Sequence, residues 1–192
     1  TGVLSLSVMS IDLGKIDITT VDLPEGGIGT FHPVFTNIGL SYAKVFSNSI
    51  YGGITVKIVN EGISDVKASG VVLDAGIQYV TGKNQQAKFG IAMKNVGPTM
   101  KYSGDGLSIR ADLPSELNMT VERRCAEFEL QSLISIAASY DFIFNESNTL
   151  MVAGNFTSNS FTKDQIHFGM EYSFKNLIMV RGGYIYEEGI FD

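Results

Sequence analysis

The chain carries two histidines and one cysteine, and these are its candidates for acid–base or nucleophilic chemistry. His167 shares the face of an alternating run with Glu171. A hydrolase built on it would need a nucleophile and an orienting group alongside, which Ser135 or Ser173 supplies only if folding gathers them. His32 lies beside Pro33 in a long connection. No His or Cys pair has zinc-ligand spacing, and one Cys leaves a structural zinc site short of ligands. Cys125 follows Arg123 and Arg124, a setting in which thiols become reactive, within a stretch that reads as loop. Gly76 to Asn84 has the glycines and the lysine of a phosphate loop. It has one residue too many between the glycines and ends in Asn where Ser or Thr is needed, so it reads as a strand followed by a turn. The expectation is a protein without enzymatic activity, metal or cofactor, in which His167 joins a hydrogen-bonded interior network. Asp74, Gln78, Lys88, Lys94, Glu171 and Arg181 share that alternation class and are expected to line the same interior, chiefly as salt bridges that fill it.

Composition sets the medium in which such residues sit. Hydrophobic residues make up 44% and charged residues 18% of the 192, against roughly 25% charged in soluble globular proteins. The net charge of −6 removes the broad basic field that draws nucleic acid. Apolar residues recur at every second position, the period of strands. Ser69 to Thr81, Ala87 to Asn95, Ile134 to Phe142 and Gln165 to Phe174 are the clearest cases. Val3 to Ile11, Val34 to Phe46, Ile50 to Val59, Thr149 to Ser158 and Leu177 to Glu187 are less regular. Many of these nine runs reach the roughly 9–11 residues that cross a bilayer at a tilt, beyond the usual ~5–6 of globular strands.

The connections alternate in length. Ser47-Asn48-Ser49, Gly82 to Gln86, Asn145 to Asn148 and Lys175-Asn176 are turns, whereas Asp12 to Pro33, Asn60 to Ala68, Val96 through Gln131 and Asn159 to Lys163 are longer. Up-and-down membrane barrels thread this way, with short turns on one side and long loops on the other. Tyr42, Tyr51, Tyr79, Tyr140, Phe142, Tyr172, Phe174, Tyr184 and Tyr186 lie near strand ends, as interfacial girdles require. Gly97, Pro98, Met100 and Tyr102 fall in the long loop at the external rim, where apolar and flexible residues together could hold a protein partner. The period and loop parity lead to an all-β, antiparallel up-and-down transmembrane barrel in the outer membrane. A FadL-type transporter of hydrophobic small molecules, a barrel hydrolase and a soluble β-sandwich are the competing readings.

With the strands placed, several stretches resemble the PorV/PorQ family of outer-membrane barrels. They are Gly39-Leu40-Ser41-Tyr42-Ala43, Gly53-Ile54-Thr55-Val56-Lys57, Asp74-Ala75-Gly76-Ile77-Gln78-Tyr79, Gly90 to Pro98, Leu113-Pro114-Ser115-Glu116-Leu117, Ala153-Gly154-Asn155-Phe156 and Arg181 to Asp192. The resemblance implies a FadL-like barrel of about fourteen strands. About nine are represented, so residues 1–192 are expected to form one barrel domain, incomplete at both ends. It also implies a role in type IX protein secretion, with three kinds of partner in an outer-membrane lipid setting. These are a SprA/Sov-type translocon barrel, secreted clients bearing C-terminal signal domains, and a surface attachment complex. Thr120 to Gln131 departs from the family's pattern.

Overall fold

The computed structural model describes residues 2–112 and 118–187. Leu113 to Leu117 and Glu188 to Asp192, which carry part of the family resemblance, lie outside them. The described residues form thirteen strands: β1 (Gly2–Asp12), β2 (Ile16–Asp17), β3 (Thr30–Phe31), β4 (Val34–Ser47), β5 (Ile50–Ile63), β6 (Val66–Thr81), β7 (Ala87–Val96), β8 (Ser108–Asp112), β9 (Asn118–Glu122), β10 (Leu133–Asn145), β11 (Asn148–Asn159), β12 (Gln165–Phe174) and β13 (Ile178–Glu187). Nine of them form one sheet in the order β1-β4-β5-β6-β7-β10-β11-β12-β13, every neighbouring pair antiparallel. Each sheet strand pairs with the next along the chain, so the thread is an up-and-down meander. Among the described residues β1 and β13 are open edges. Two small hairpins, β2–β3 and β8–β9, stand apart from the sheet.

All nine expected strands are found, most lengthened by a few residues. The largest change is at Asn60 to Ala68, expected as a long connection. There the ladder continues through Asn60↔Ser69 and Glu61↔Ala68 to Ile63↔Val66, closing on a tight turn at Ser64-Asp65 with Ser64 at φ 52°. Backbone pairing outweighs the polar character that suggested a loop, because each added pair satisfies groups a loop would leave to water. Loop parity is therefore less regular than the sequence suggests.

Register separates the two faces. One row runs Tyr79↔Phe89↔Ala138↔Gly154↔Phe168↔Tyr184, and the next runs Ile77↔Ile91↔Ile136↔Phe156↔Ile166↔Tyr186. Directly opposed residues share a face, so apolar side chains form a belt across the whole sheet. They are exposed: Leu6 is 71%, Phe168 59% and Ile91 51% accessible. On β12 the opposite face holds Gln165, His167, Gly169 and Glu171, half-buried, and Ser173, buried. The sheltered face is thus the polar one, the reverse of a water-soluble sandwich. Tyr42, Tyr79, Tyr140, Phe142, Tyr172, Phe174, Tyr184 and Tyr186 fall on the belt. Tyr51 pairs with Val45 and Gln78 and so sits on the polar face, a correction to its expected girdle position. The β4–β5 register decides this, and strand-end proximity alone could not.

The long connection between β7 and β10 is not free loop. It continues the sheet past the belt: Ser103 exchanges backbone hydrogen bonds with Lys67 at 2.8 and 2.9 Å, and Met100 with Phe128 at 2.6 and 2.8 Å. Pro98, lacking an N–H, interrupts the extension. Met100 lies over Gly70, where a Cβ would meet its Cγ and Sδ at 2.7 Å, and Gly70 in turn opposes Val59. Val59, Ala68, Val72 and Met100 are each 1–2% exposed and form most of the buried apolar core among the described residues. Replacing Met100 by Ala should therefore cost about 2–4 kcal/mol, read as a shift of the unfolding midpoint. A change below about 0.5 kcal/mol, the range of an uninvolved surface site, would show that the extension does not depend on this contact.

Candidate functional site

The polar face gathers most of the residues expected to line an interior, and it adds partners the sequence did not single out. On β5 and β6, Lys57 Nζ lies 2.7 Å from Asp74 Oδ1. Asp74 opposes both Lys94 and Asn95, because a bulge shifts the β6–β7 register between Leu73 and Ala75. Asn95 takes the left-handed conformation at φ 57°, which Asn tolerates better than most residues. Its backbone N–H then donates to Asp74 Oδ1 at 2.8 Å, its Oδ1 accepts from Lys57 Nζ at 2.5 Å, and its Nδ2 donates to the Gln131 carbonyl at 3.0 Å. The bulge thus ties three strands and the start of the return from the long loop.

Lys88 donates to Asp141 Oδ2 at 2.8 Å, a diagonal pair across β7 and β10. Arg181 donates through Nε to Glu171 Oε2, directly opposed on β12 and β13. Four of the expected lining residues are thereby engaged through carboxylate–cation pairs: Asp74, Lys88, Glu171 and Arg181. Gln78 and Lys94 are exposed and have no ion pair among the described residues.

His167 opposes Asn155. The Asn155 amide is occupied, accepting from Ser135 Oγ at 2.6 Å and donating to Thr157 Oγ1 at 2.9 Å. His167 Nε2 is buried without a partner among the described residues, so the expected network stops one strand short of it. The candidate nucleophiles do not reach it. Ser135 lies two strands away, roughly 10 Å at the usual strand spacing, and Ser173 bonds Asn176 Oδ1 at the turn. Phe89, Ala137, Ser139, Asn155 and His167 instead border a hollow of about 540 Å³. A second hollow of about 490 Å³ is floored by Gly53, Gly76, Gly90 and Ala92 and walled by Val3, Val45 and Tyr51. His32 lies 3.7 Å from Asp12 at the far end of β1, both largely exposed. Cys125 is a free, half-buried thiol.

At the rim the four candidate residues divide. Gly97 and Pro98 are exposed, whereas Met100 turns inward to the core. Tyr102 also turns inward: it stacks on Phe128 with ring centroids 5.2 Å apart and donates its hydroxyl to Glu61 Oε2 at 2.6 Å across the small Ala68. Burial, followed by the hydrogen bond to Glu61 and that carboxylate's charge, pushes the Tyr102 phenol up to about 12. No family model, curated protein or solved structure matches the chain.

Two outcomes follow from this geometry. Since the folded Tyr102 holds its proton above the unfolded value near 10, its contribution is complete below pH 10 and declines as pH rises from about 10 to 12. Limited proteolysis of the rim extension should accelerate over that interval. Tyr102→Phe should flatten the dependence; an unchanged profile would remove Tyr102 as its source. Among the ion pairs, Lys57 and Asp74 are the most sheltered, with side chains 13% and 23% exposed, whereas Arg181 is 69% exposed. Asp74→Ala should cost roughly 2–3 kcal/mol, below the 3–5 of a fully buried pair, and Arg181→Ala no more than about 1 kcal/mol. Unfolding midpoints in the reverse order would contradict this ranking.

Proposed function

We propose that this chain forms most of the wall of an outer-membrane β-barrel and serves, without enzymatic activity, as the PorV-like client-binding shuttle of type IX secretion. The observation that carries the barrel reading is the reversal of faces: a belt of exposed Leu, Ile, Val, Phe and Tyr on one side, ion pairs on the other. On β12 the belt runs from Ile166 to Phe174, about 27 Å along the strand at ~3.4 Å per residue, comparable to the roughly 25 Å apolar band of such barrels. Lipid satisfies the belt, and the continuous ladder leaves few backbone groups unpaired inside the band. In this reading β1 and β13 are joined by further strands to close a FadL-like barrel of about fourteen. The client-binding role is supported by the resemblance to the PorV/PorQ family and by the extension that carries Gly97 and Pro98 on its exposed surface. Its partners are a SprA/Sov-type translocon, clients with C-terminal signal domains, and the surface attachment complex.

A second reading, FadL-like passage of a hydrophobic small molecule, draws on the hollow bounded by Val3, Val45 and Tyr51, which is apolar despite lying on the polar face.

Deleting the gene in its own host tests the role. Secretion of signal-domain clients should fall by at least tenfold, and those clients should co-purify with the barrel in mild detergent. Intact secretion with no client retained would end the shuttle reading, while co-purified lipid within the barrel would favour passage of small molecules. Met170→Lys tests the barrel itself. A Lys at the midpoint of the β12 belt, where Met170 is exposed, carries a penalty of about 2–4 kcal/mol in a bilayer and should reduce membrane insertion; unchanged insertion would contradict lipid contact at that face.

A further inference from the structure

The connection between β7 and β10 holds a feature, at the base of the β8–β9 pair, that the sheet does not use. Lys101, Tyr102 and Ser103 on the outgoing arm and Glu122, Arg123 and Arg124 on the returning arm enclose a pocket of about 560 Å³. Its lining holds three cations and one carboxylate, in a chain whose net charge is −6. Among the described residues no carboxylate lies within ion-pair distance of Lys101, Arg123 or Arg124. Two nearby acids are engaged elsewhere: Glu61 accepts from Tyr102, and Glu127 accepts from Thr99 at 2.8 Å.

Backbone bonds hold both arms in place. Ser103 is paired with Lys67, and the Arg123 N–H donates to the Leu107 carbonyl at 2.8 Å. Height along the sheet bears on the ligand. Val71 is the last belt residue of β6 toward this end. Lys101 runs beside Ser69, inferred from the Ser103–Lys67 pairing, two residues or about 7 Å beyond Val71 at ~3.4 Å per residue. That is the depth of the headgroup layer outside the hydrocarbon.

We infer that this pocket binds the phosphate of an anionic lipid headgroup in the leaflet at the loop end of the barrel. Guanidinium groups suit phosphate because their planar donors engage two oxygens at once, and the lysine adds a third charge without a fixed direction. This assignment rests on the membrane reading above.

The test uses the full-length protein in neutral detergent, titrated with short-chain phosphatidic acid or phosphatidylcholine and followed by native mass spectrometry. Phosphatidic acid should bind at least tenfold more tightly, and the triple variant K101Q/R123Q/R124Q should lose that preference. Arg124→Lys, which keeps the charge and loses the bidentate fork, should retain part of it and guards against misfolding of the triple variant. Equal binding by wild type and a folded triple variant would overturn the pocket while leaving the barrel intact. Inorganic phosphate binding as tightly as the lipid would overturn the lipid source, and preference for an acidic peptide would assign the pocket to a protein partner instead. A wild-type protein that stays soluble and monodisperse without detergent would overturn the membrane reading itself.

Discussion

Antiparallel pairing lets a strand satisfy its backbone sideways and leaves its two faces free to differ. Here the difference is carried to an extreme. The ladder runs unbroken from β1 to β13, so the N–H and C=O groups of the inner strands have partners within the sheet. The side chains of one face can then be apolar throughout without exposing polar backbone beneath them. Residues paired across strands share that face, so apolarity at Phe89 is matched at Phe168 and Tyr184 through intervening Ala138 and Gly154. Any one-residue slip would carry belt residues inward and charges outward. The belt therefore fixes register as well as position.

That register decides which charges meet. Glu171 and Arg181 are direct opposites, while Lys57–Asp74 and Lys88–Asp141 are diagonal pairs, and long side chains reach both kinds of neighbour. The bulge at Asn95 adds a further device. A regular ladder would place a single residue against Asp74. The extra residue brings a backbone N–H and a carboxamide to the same carboxylate and ammonium pair, so that sheltered charges have hydrogen bonds in addition to each other. Where such help is missing, as at His167 Nε2, the neighbouring polar groups are committed elsewhere. The buried nitrogen remains a local weakness of the sheltered face.

The sequence carried the strands because their signal is local: alternation over nine or ten residues reports one exposed apolar face and one sheltered polar face, whatever the neighbours are. It also placed Asp74, Lys88, Glu171 and Arg181 on a common face by parity alone. Their partners were not legible in the same way. Lys57, Asn95 and Asp141 depend on which strand lies alongside and in what register, and the bulge breaks the parity on which a reading of β7 relies. Tyr51 was misplaced for the same reason. Asn60 to Ala68 looked like loop because its composition is polar and glycine-containing, yet pairing across a tight turn made it the longest hairpin in the sheet. The inward turn of Met100 and Tyr102 could not be read from a stretch interrupted by Pro98.

The location of the buried core follows from the same division of faces. Over most of the sheet no second layer of protein covers the belt, and under the proposed function none is needed, since lipid takes that place. At this end of the sheet the extension lies over the sheltered face of β5 and β6, and apolar side chains there gain from burial against their own chain. Val59 and Val72 share that face with Gly70, which lets Met100 approach, and Tyr102 and Phe128 stack on the extension. The hydrogen bond from Tyr102 to Glu61 gives the phenol a partner at the boundary of that cluster. A small core at one end of a sheet that has little core elsewhere is thus a consequence of the extension covering the sheltered face there. The rim can be held rigid by contacts that leave the belt and the ion-paired face untouched.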